Sequence, residues 1–398
     1  MKILWFPRLQ LDIDKLHITT WREICKSLEE AGQQIVIAIA GEDINGVWGR
    51  PYVKIPIIPI KFIRLATFWI SGFVKFISSY LRERPDAIIL DLFSLWMSAP
   101  LLVIPHKKRP VLIVDNRTPF YNERGKSFAF KDYIMWVYTW LAFKYASIFL
   151  DGMTVITDFY KRYVCKKYDF KEDTIGVWNS GVNIKHFDAG IQAVKNAEFN
   201  NQFVLMQHGE ISYNRGLFET VEALSLLSEN ISLELIGDSI KSNAKNDLRE
   251  LAERLRVSRR LIIKPRIPYN RIPEYIIQAD CAIMAYPNIE YWNNNNPIKL
   301  LEYLALGKVV ICTNMWTFRD VMKDSNCACY IQDNKPATIA EAIKYCVENK
   351  EKLAGWGEKG IEIVKNRFTW EKQAERLLIF IQSLGDRRFK GKAREWVN

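Results

Sequence analysis

The chain has 398 residues, 49% of them hydrophobic, and a formal net charge of +11. A chain of this size can fill two hydrophobic cores without disulfides, so we expect two domains. None of the seven cysteines has paired spacing beside a histidine, which argues against a zinc site and indicates a reducing cytoplasm. Without a zinc-finger or RNA-binding signature, the charge favours an anionic membrane surface or substrate as the partner, with nucleic acid as the weaker alternative, and we expect no nucleic-acid partner.

The start of the chain and its most apolar window predict a cytoplasmic protein. The first residues enter an apolar run at once and lack the long apolar core of a signal peptide. The most apolar window, 62–80, is interrupted by Arg64 and Lys75, so it falls short of a membrane span.

Strand-like apolar runs alternate with helical patterns through the first half of the chain, which indicates a parallel sheet with helices on both faces. The first helix is predicted at 17–31. The strands of this half are predicted near residues 3–6, 34–40, 52–58, 87–91, 111–116, 153–157 and 174–178.

Two places in this half lie at the carboxyl ends of predicted strands, where open α/β sheets usually bind ligands. The first is the loop 7–16 with the start of the following helix, and the second is the end of the fifth strand. Asp115 could accept a proton from a bound hydroxyl, although a strand-end turn is an equal alternative. The candidate ligand contacts at the two places are Asp14, Lys15 and His17, and Asp115, Asn116 and Arg117.

Segments 61–84 and 128–149 combine aromatic rings with aliphatic and basic residues. This combination suits the headgroup layer of a membrane, since the rings are amphipathic and the cations meet anionic lipid. We expect peripheral attachment through these segments. The alternative is that both are core helices of the first domain.

After a polar stretch, 189–201, which is typical of a linker, a second α/β series begins. Its strands are predicted at 203–207, 233–237, 261–264, 281–285, 308–312 and 328–331, and a last amphipathic helix at 367–384, followed by a loose basic tail from 385. The predicted domains are therefore 1–188, 189–366 and the helix and tail 367–398.

The stretch 293–308 is the strongest candidate for the chemistry. We expect four asparagines, 293–296, to form a loop, Asn296 to cap a helix that starts with Pro297, and Gly307 to end it in the left-handed conformation. The first turn would offer free N–H groups and a positive dipole end to phosphate. Lys299 and Glu302 lie three apart on one face; the alternative is a solvated ion pair.

Several pieces coincide in order and spacing with a known family. They are Asn179–Asn183 running on to Phe187, Arg215-Gly216-Leu217, Ala279-Asp280, Pro297 to Gly307, and Phe368-Thr369-Trp370-Glu371. On these residues the chain resembles the retaining glycosyltransferases of family 4, within glycosyl transferases group 1. The resemblance implies an α/β protein of the GT-B architecture: two Rossmann-like doubly wound domains face each other across a cleft, and the C-terminal helix crosses back to the first domain.

The resemblance also implies a function and a set of roles. The first domain would bind a glycan or lipid-linked acceptor in polysaccharide biosynthesis at the cytoplasmic face of a membrane, and the second would bind a nucleoside diphosphate sugar, with no cofactor and no metal. Glu302 would grip the ribose hydroxyls and Arg215 would neutralise the diphosphate. Lys299 is added from its helical register, and the other predicted donor contacts are Pro297, Ile298, Gly209, Glu210 and Arg266.

Two residues depart from the family pattern. Glu210 stands where the family usually has an arginine, and Asn294 stands eight residues before Glu302 in place of a glutamate. The Asn294 amide can still bond sugar hydroxyls, so we predict Asn294 and Asp115 as the catalytic pair of a hexosyltransferase. The alternatives are a catalytically degenerate binding or scaffold subunit of the same fold, and a nucleotide-sugar epimerase.

Overall fold

The computed structural model describes residues 1–8, 16–41, 52–58, 60, 63–117, 130–184, 202–240, 242–296, 298–323 and 325–390. The chain divides into two compact units, which we call unit 1, Met1–Ser180 with Trp370–Asn398, and unit 2, Gly181–Thr369. The predicted boundary after residue 188 lies outside the described residues. Unit 2 ends at Thr369, against the predicted end at 366.

Unit 1 contains a seven-stranded parallel sheet in the order β3-β2-β1-β4-β5-β6-β7, and all seven predicted strands are confirmed. Its strands are β1 Lys2–Phe6, β2 Gln34–Ala40, β3 Val53–Ile55, β4 Ala87–Leu90, β5 Val111–Asn116, β6 Gly152–Val155 and β7 Ile175–Val177. Its first four helices are α1 Leu16–Glu30, α2 Arg64–Glu83, α3 Phe130–Phe149 and α4 Asp158–Tyr168, with 3-10 helices at Leu95–Val103 and Glu172–Thr174.

Both faces of this sheet are covered, which is why its strands are continuous apolar runs rather than alternating ones. One face packs against α2, α3, α4 and the 3-10 helix Leu95–Val103, with Phe68, Phe76 and Phe143 in its core. The opposite face packs against α1, with Ile24 and Leu28 in its core.

Unit 2 repeats the plan with a six-stranded parallel sheet in the order β10-β9-β8-β11-β12-β13, and all six predicted strands are confirmed. Its strands are β8 Phe203–His208, β9 Ile231–Ile236, β10 Leu261–Lys264, β11 Cys281–Met284, β12 Val309–Thr313 and β13 Ala328–Ile331. Its helices are α5 Leu217–Leu224, α6 Ala244–Arg254, α7 Ile272–Gln278, α8 Glu290–Asn294, α9 Ile298–Ala305, α10 Trp316–Met322, α11 Pro336–Glu348 and α12 Lys350–Arg367.

The last helix, α13 Trp370–Lys390, returns to unit 1, where Ala374, Leu377 and Ile381 join the core beside α1. The predicted helix end at 384 is wrong, and so is the loose tail for residues 385–390. Arg387 pairs with Asp173 at 2.7 Å, and Arg388 pairs with Asp151. These ion pairs with residues far away in the sequence stabilise the last turns of α13, which the local sequence does not predict to be helical.

Candidate functional site

The asparagine stretch before α9 is more helical than its composition suggests. Asn293 and Asn294 are the last residues of α8, so the predicted loop is wrong at these two positions. Their side-chain amides donate to the carbonyls four residues earlier, to Ile289 at 3.2 Å and to Glu290 at 2.9 Å. These bonds replace the local turn bonds that asparagine usually makes, and they leave Asn294 fully buried at the end of α8.

The predicted C-terminal end of α9 is confirmed, but the predicted N-terminal cap is not. Pro297 lies outside the described residues. Both polar side-chain atoms of Asn296 are buried and make no hydrogen bond to the described residues, so the predicted side-chain cap is wrong. Gly307 has φ 67°, and its N–H donates to the Leu304 carbonyl at 3.0 Å, which confirms the predicted left-handed end.

The two charged side chains of α9 are buried rather than solvated. Glu302 is 1% exposed and the Lys299 ammonium is shielded from solvent, which rules out the alternative of a solvated ion pair. Neither the Lys299 nitrogen nor the Glu302 oxygens have an aligned hydrogen bond to the described residues. Charged groups are costly to bury without full hydrogen bonding, so this pair indicates a ligand site.

A histidine that is not among the predicted contacts lies beside this carboxylate. His208 ends β8, and its Nε2 lies 3.0 Å from Oε2 of Glu302. The backbone N–H of His208 donates to the Tyr303 hydroxyl at 3.0 Å, which fixes the strand end against α9. The detectable signal was that His208 directly precedes Gly209, one of the predicted donor contacts.

Burial raises the pKa of the Glu302 carboxyl, but its neighbours outweigh that effect. The contacts of His208 and Tyr269 and the charge of Lys299 lower the pKa, and the net result is a pKa below the ordinary value. Glu302 is therefore an ionised carboxylate at neutral pH, able to accept hydrogen bonds from hydroxyl groups.

The Lys299 side chain lies directly against the backbone of Gly209. A β-carbon at position 209 would collide with Nζ and Cε of Lys299, and Gly209 has φ 101°, which residues other than glycine rarely adopt. Both the contact and the backbone conformation therefore favour glycine here. Burial and the nearby Arg215 charge hold the pKa of Lys299 well below its usual range, against the opposing effect of Glu302 and Glu210. A bound anion would reverse this shift.

Arg215 is held in place from several sides. Its guanidinium donates to the Ser212 hydroxyl at 3.2 Å and to the Tyr286 hydroxyl at 3.3 Å, and it lies 5.3 Å from the Trp292 ring centre. Its Nη2 is 3.6 Å from Oε2 of Glu210, so this predicted donor contact pairs with Arg215. Burial lowers the pKa of Arg215, but the Tyr286 contact and Glu210 raise it above the usual value.

The start of α5 keeps Arg215 beside these residues. Gly216 caps the helix with φ 68°, and a β-carbon there would collide with the Ala285 carbonyl at the end of β11. The close approach of the two backbones therefore sets where the preceding arginine lies.

Four charged residues of unit 2 thus act on one another electrostatically, and the His208 ring lies against one of them, Glu302; the other three are Glu210, Arg215 and Lys299. Of the remaining predicted donor contacts, Ile298 is the first residue of α9 and Arg266 is exposed in the loop after β10.

In unit 1 the predicted contacts at the end of β5 are engaged with their own surroundings. Asp115 Oδ1 accepts from the Thr154 hydroxyl at 2.6 Å and the Trp178 indole N–H at 3.1 Å, while Oδ2 is buried without a hydrogen bond among the described residues. Burial raises the pKa of Asp115, against the opposing charge of Arg117.

The other predicted contacts of unit 1 are equally tied to packing, or lie outside the described residues. The Asn116 amide donates to the Tyr160 hydroxyl at 2.7 Å. Arg117 stacks 3.6 Å over the Trp178 ring and donates to that residue's carbonyl, and burial lowers its pKa to about 10. Asp14, Lys15 and the His17 side chain are not described.

Comparisons with known proteins bear on the family and on the fold. Residues 189–363 match the family described as Glycosyl transferases group 1. This match confirms the predicted resemblance at the level of the group, while family 4 stays a prediction. No curated protein matches the sequence.

The fold resembles that of several solved structures. Anabaena Alr3699/HepE, crystallised in complex with UDP, is 14% identical with a TM-score of 0.75, over 96% of this chain and 100% of that chain. Sucrose-phosphate synthase from Thermosynechococcus elongatus is 15% identical with a TM-score of 0.73, over 96% and 99%. A glycosyltransferase from Rickettsia africae is 18% identical with a TM-score of 0.73, over 98% and 99%. The predicted GT-B fold is confirmed.

Proposed function

We propose that the chain, whose residues 189–363 match the group 1 glycosyl transferases, moves a sugar from a nucleoside diphosphate donor to an acceptor hydroxyl. The observation that carries this proposal is the pair of buried charges without aligned hydrogen bonds, Lys299 and Glu302, on one face of α9. Burying a charged group without full hydrogen bonding costs free energy, so a ligand that bonds the Lys299 ammonium and adds to the His208 and Tyr269 contacts of Glu302 is the simplest reason for the pair.

A nucleoside diphosphate offers the complementary groups. The diphosphate would lie against the Lys299 ammonium and the Arg215 guanidinium, whose charges would offset its own. The vicinal ribose hydroxyls would donate to the Glu302 carboxylate, which the contact with His208 holds at the end of β8. The UDP complex of the similarly folded HepE supports this choice of ligand.

The same residues would assist the reaction. As the glycosidic bond breaks, negative charge grows on the leaving diphosphate, and the two cations stabilise that charge without covalent chemistry. We therefore propose a metal-independent reaction, in which the two cations neutralise the diphosphate as a divalent ion does in other enzymes. From the family resemblance we propose that the reaction transfers a hexose with retention of configuration. Asn294 and Asp115 stay proposed catalytic residues.

We further propose an acceptor that is a glycan or a lipid-linked glycan, in polysaccharide biosynthesis at the cytoplasmic face of a membrane. A lipid-linked acceptor suits the excess of positive charge, +11 over the chain, because membrane surfaces on that side are anionic.

The test is calorimetry with UDP and GDP, followed by transfer assays. Glu302→Gln keeps the shape of the side chain but removes its charge, and it should weaken nucleotide binding by about ten- to a hundredfold, since hydrogen bonds to charged groups contribute about 1.5–3 kcal/mol. The matched control is Glu253→Gln on the exposed side of α6, which should bind like the wild type. Wild-type affinity in Glu302→Gln would overturn the site.

A degenerate binding subunit is the second candidate, favoured by Glu210 and Asn294. It predicts nucleotide binding without sugar release or transfer over a panel of donors. An epimerase would instead convert the donor sugar with no acceptor present, which product analysis detects.

A further inference from the structure

Unit 1 exposes an unusual amount of apolar surface on two neighbouring helices. Of the 25 large hydrophobic side chains that are exposed among the described residues, six lie on α2 and eight on α3. The exposed fraction reaches 71% at Ile70, 79% at Phe130 and 68% at Ile148. In unit 2 the six exposed residues of this kind are spread over as many elements or loops: Tyr213, Leu226, Ile240, Ile262, Trp316 and Tyr345.

The α3 helix is apolar on both of its sides. Its inner side, with Ala142, Phe143 and Ala146, packs in the core, and every described residue of α3 that is clearly exposed is aromatic or aliphatic. A helix that is apolar all round is normally buried or in contact with lipid. No helix among the described residues is long and apolar enough to cross a membrane, so contact along the membrane plane is the remaining arrangement for lipid.

The two helices lie on the same side of the unit 1 sheet. Phe68 and Phe76 of α2 and Phe143 of α3 belong to one core cluster, and both helices contact the 3-10 helix Leu95–Val103. That 3-10 helix ends in Val103, which is 85% exposed. The outward faces of α2 and α3 can therefore meet one surface, and we call them the apolar face.

The exposed charges of α2 are positive. The clearly exposed charged residues of α2 are Arg64, Lys75 and Arg82, all basic, and its single acid, Glu83, pairs with Lys2 and Arg82. At the end of α2 a surface cavity of about 690 Å³ joins Tyr80 and Leu81 to a basic rim, Arg84, Lys107 and Lys108, and its lining also contains the acids Asp86 and Asp386.

We propose that the apolar face of unit 1 docks in the headgroup layer of an anionic lipid bilayer, with the basic rim on the lipid phosphates. Rings and aliphatic side chains enter the layer, and the cations meet its negative charge. A second copy of the chain is a poorer occupant, because a symmetric contact through α2 would bring its exposed basic residues against each other. The surface deepens the proposed function by placing the enzyme where a lipid-linked acceptor lies, but the docking itself does not rest on turnover.

The experiment is co-sedimentation of the full chain with vesicles of phosphatidylcholine alone or with phosphatidylglycerol, at low and high salt. We expect binding to the anionic vesicles at low salt, weakened by salt. The triple variant Ile70→Gln, Trp140→Gln, Leu141→Gln should reduce the partition coefficient at least about tenfold. Its matched control is Leu226→Gln, Ile240→Gln, Trp316→Gln in unit 2, with an expected change below about twofold.

A second variant tests the charge. Arg82→Gln, Lys107→Gln, Lys108→Gln should remove the preference for anionic vesicles. Calorimetry with UDP is the control for folding: variants that bind UDP like the wild type are folded. Loss of vesicle binding with UDP binding intact concerns the apolar face, whereas loss of UDP binding concerns the donor site. The proposal is overturned if the wild type binds neither vesicle, if the apolar variant binds as well as the wild type, or if that variant instead turns a dimer into a monomer without lipid.

Discussion

Units 1 and 2 have sheets with the same crossover order, yet they treat buried charge in opposite ways. In unit 1 the Asp151 carboxylate, whose side chain is 5% exposed, pairs with Arg388, lies 2.7 Å from His106 Nε2 and accepts from the Leu112 N–H at 2.7 Å. In unit 2 the Lys299 ammonium is also shielded from solvent, but it has no hydrogen bond among the described residues. The Asp151 carboxylate, with its partners, holds the fold, whereas the Lys299 ammonium, without a hydrogen bond, indicates a missing ligand.

The largest effect should come from the paired charge. Asp151→Asn leaves the buried Arg388 guanidinium without its counter-charge, and we expect a loss of about 3–5 kcal/mol in the free energy of unfolding, measured by denaturant titration. The control is Asp173→Asn, which removes the exposed pair with Arg387 and should cost less than about 1 kcal/mol. Equal losses in the two variants would contradict the comparison.

The unpaired charge should behave in the opposite way. Lys299→Met removes a buried amine that has no partner, so the ligand-free protein should gain about 1–3 kcal/mol of stability. UDP binding should fall at least about tenfold, because the diphosphate loses a cation. Lys344→Met, exposed on α11, should change neither quantity. A less stable Lys299→Met protein would mean that Lys299 supports the fold.

The pH dependence of stability follows from the same residue. The pKa of Lys299 is lower in the folded than in the unfolded chain, so between the two values the unfolded chain binds more protons. Stability therefore rises with pH across that interval up to the ordinary lysine pKa, and this rise should be absent from Lys299→Met.

A smaller effect should come from the glycine under Lys299. Gly209→Ala forces a β-carbon into Lys299 at φ 101°, and we expect a loss of about 1–3 kcal/mol together with weaker UDP binding, as the lysine is displaced. Gly355→Ala is the matched control: it lies in α12 with open space around it, and should gain about 0.5–1 kcal/mol. Wild-type UDP binding in Gly209→Ala would show that the position of Lys299 does not depend on this contact.

The local sequence correctly predicted the strands of both sheets and the C-terminal end of α9. Every predicted strand is present, since buried parallel strands are continuous apolar runs, and Gly307 ends its helix as its position predicts. The wrong predictions concern side chains that could bond more than one partner. The amides of Asn293 and Asn294 donate to backbone carbonyls four residues earlier and extend α8, Asn296 does not cap α9, and ion pairs extend α13 to Lys390.

The sequence by itself determined the α/β class, the two sheet series and the helix that carries Lys299 and Glu302, because periodicity and turn chemistry are local properties. Only the tertiary structure decided that these two charges are buried without aligned hydrogen bonds, that His208 lies beside Glu302, and that α2 and α3 turn apolar residues outward. Burial and distance arise from which elements pack together, so the contact between residues 208 and 302, which are far apart in the chain, is set by packing and not by local sequence.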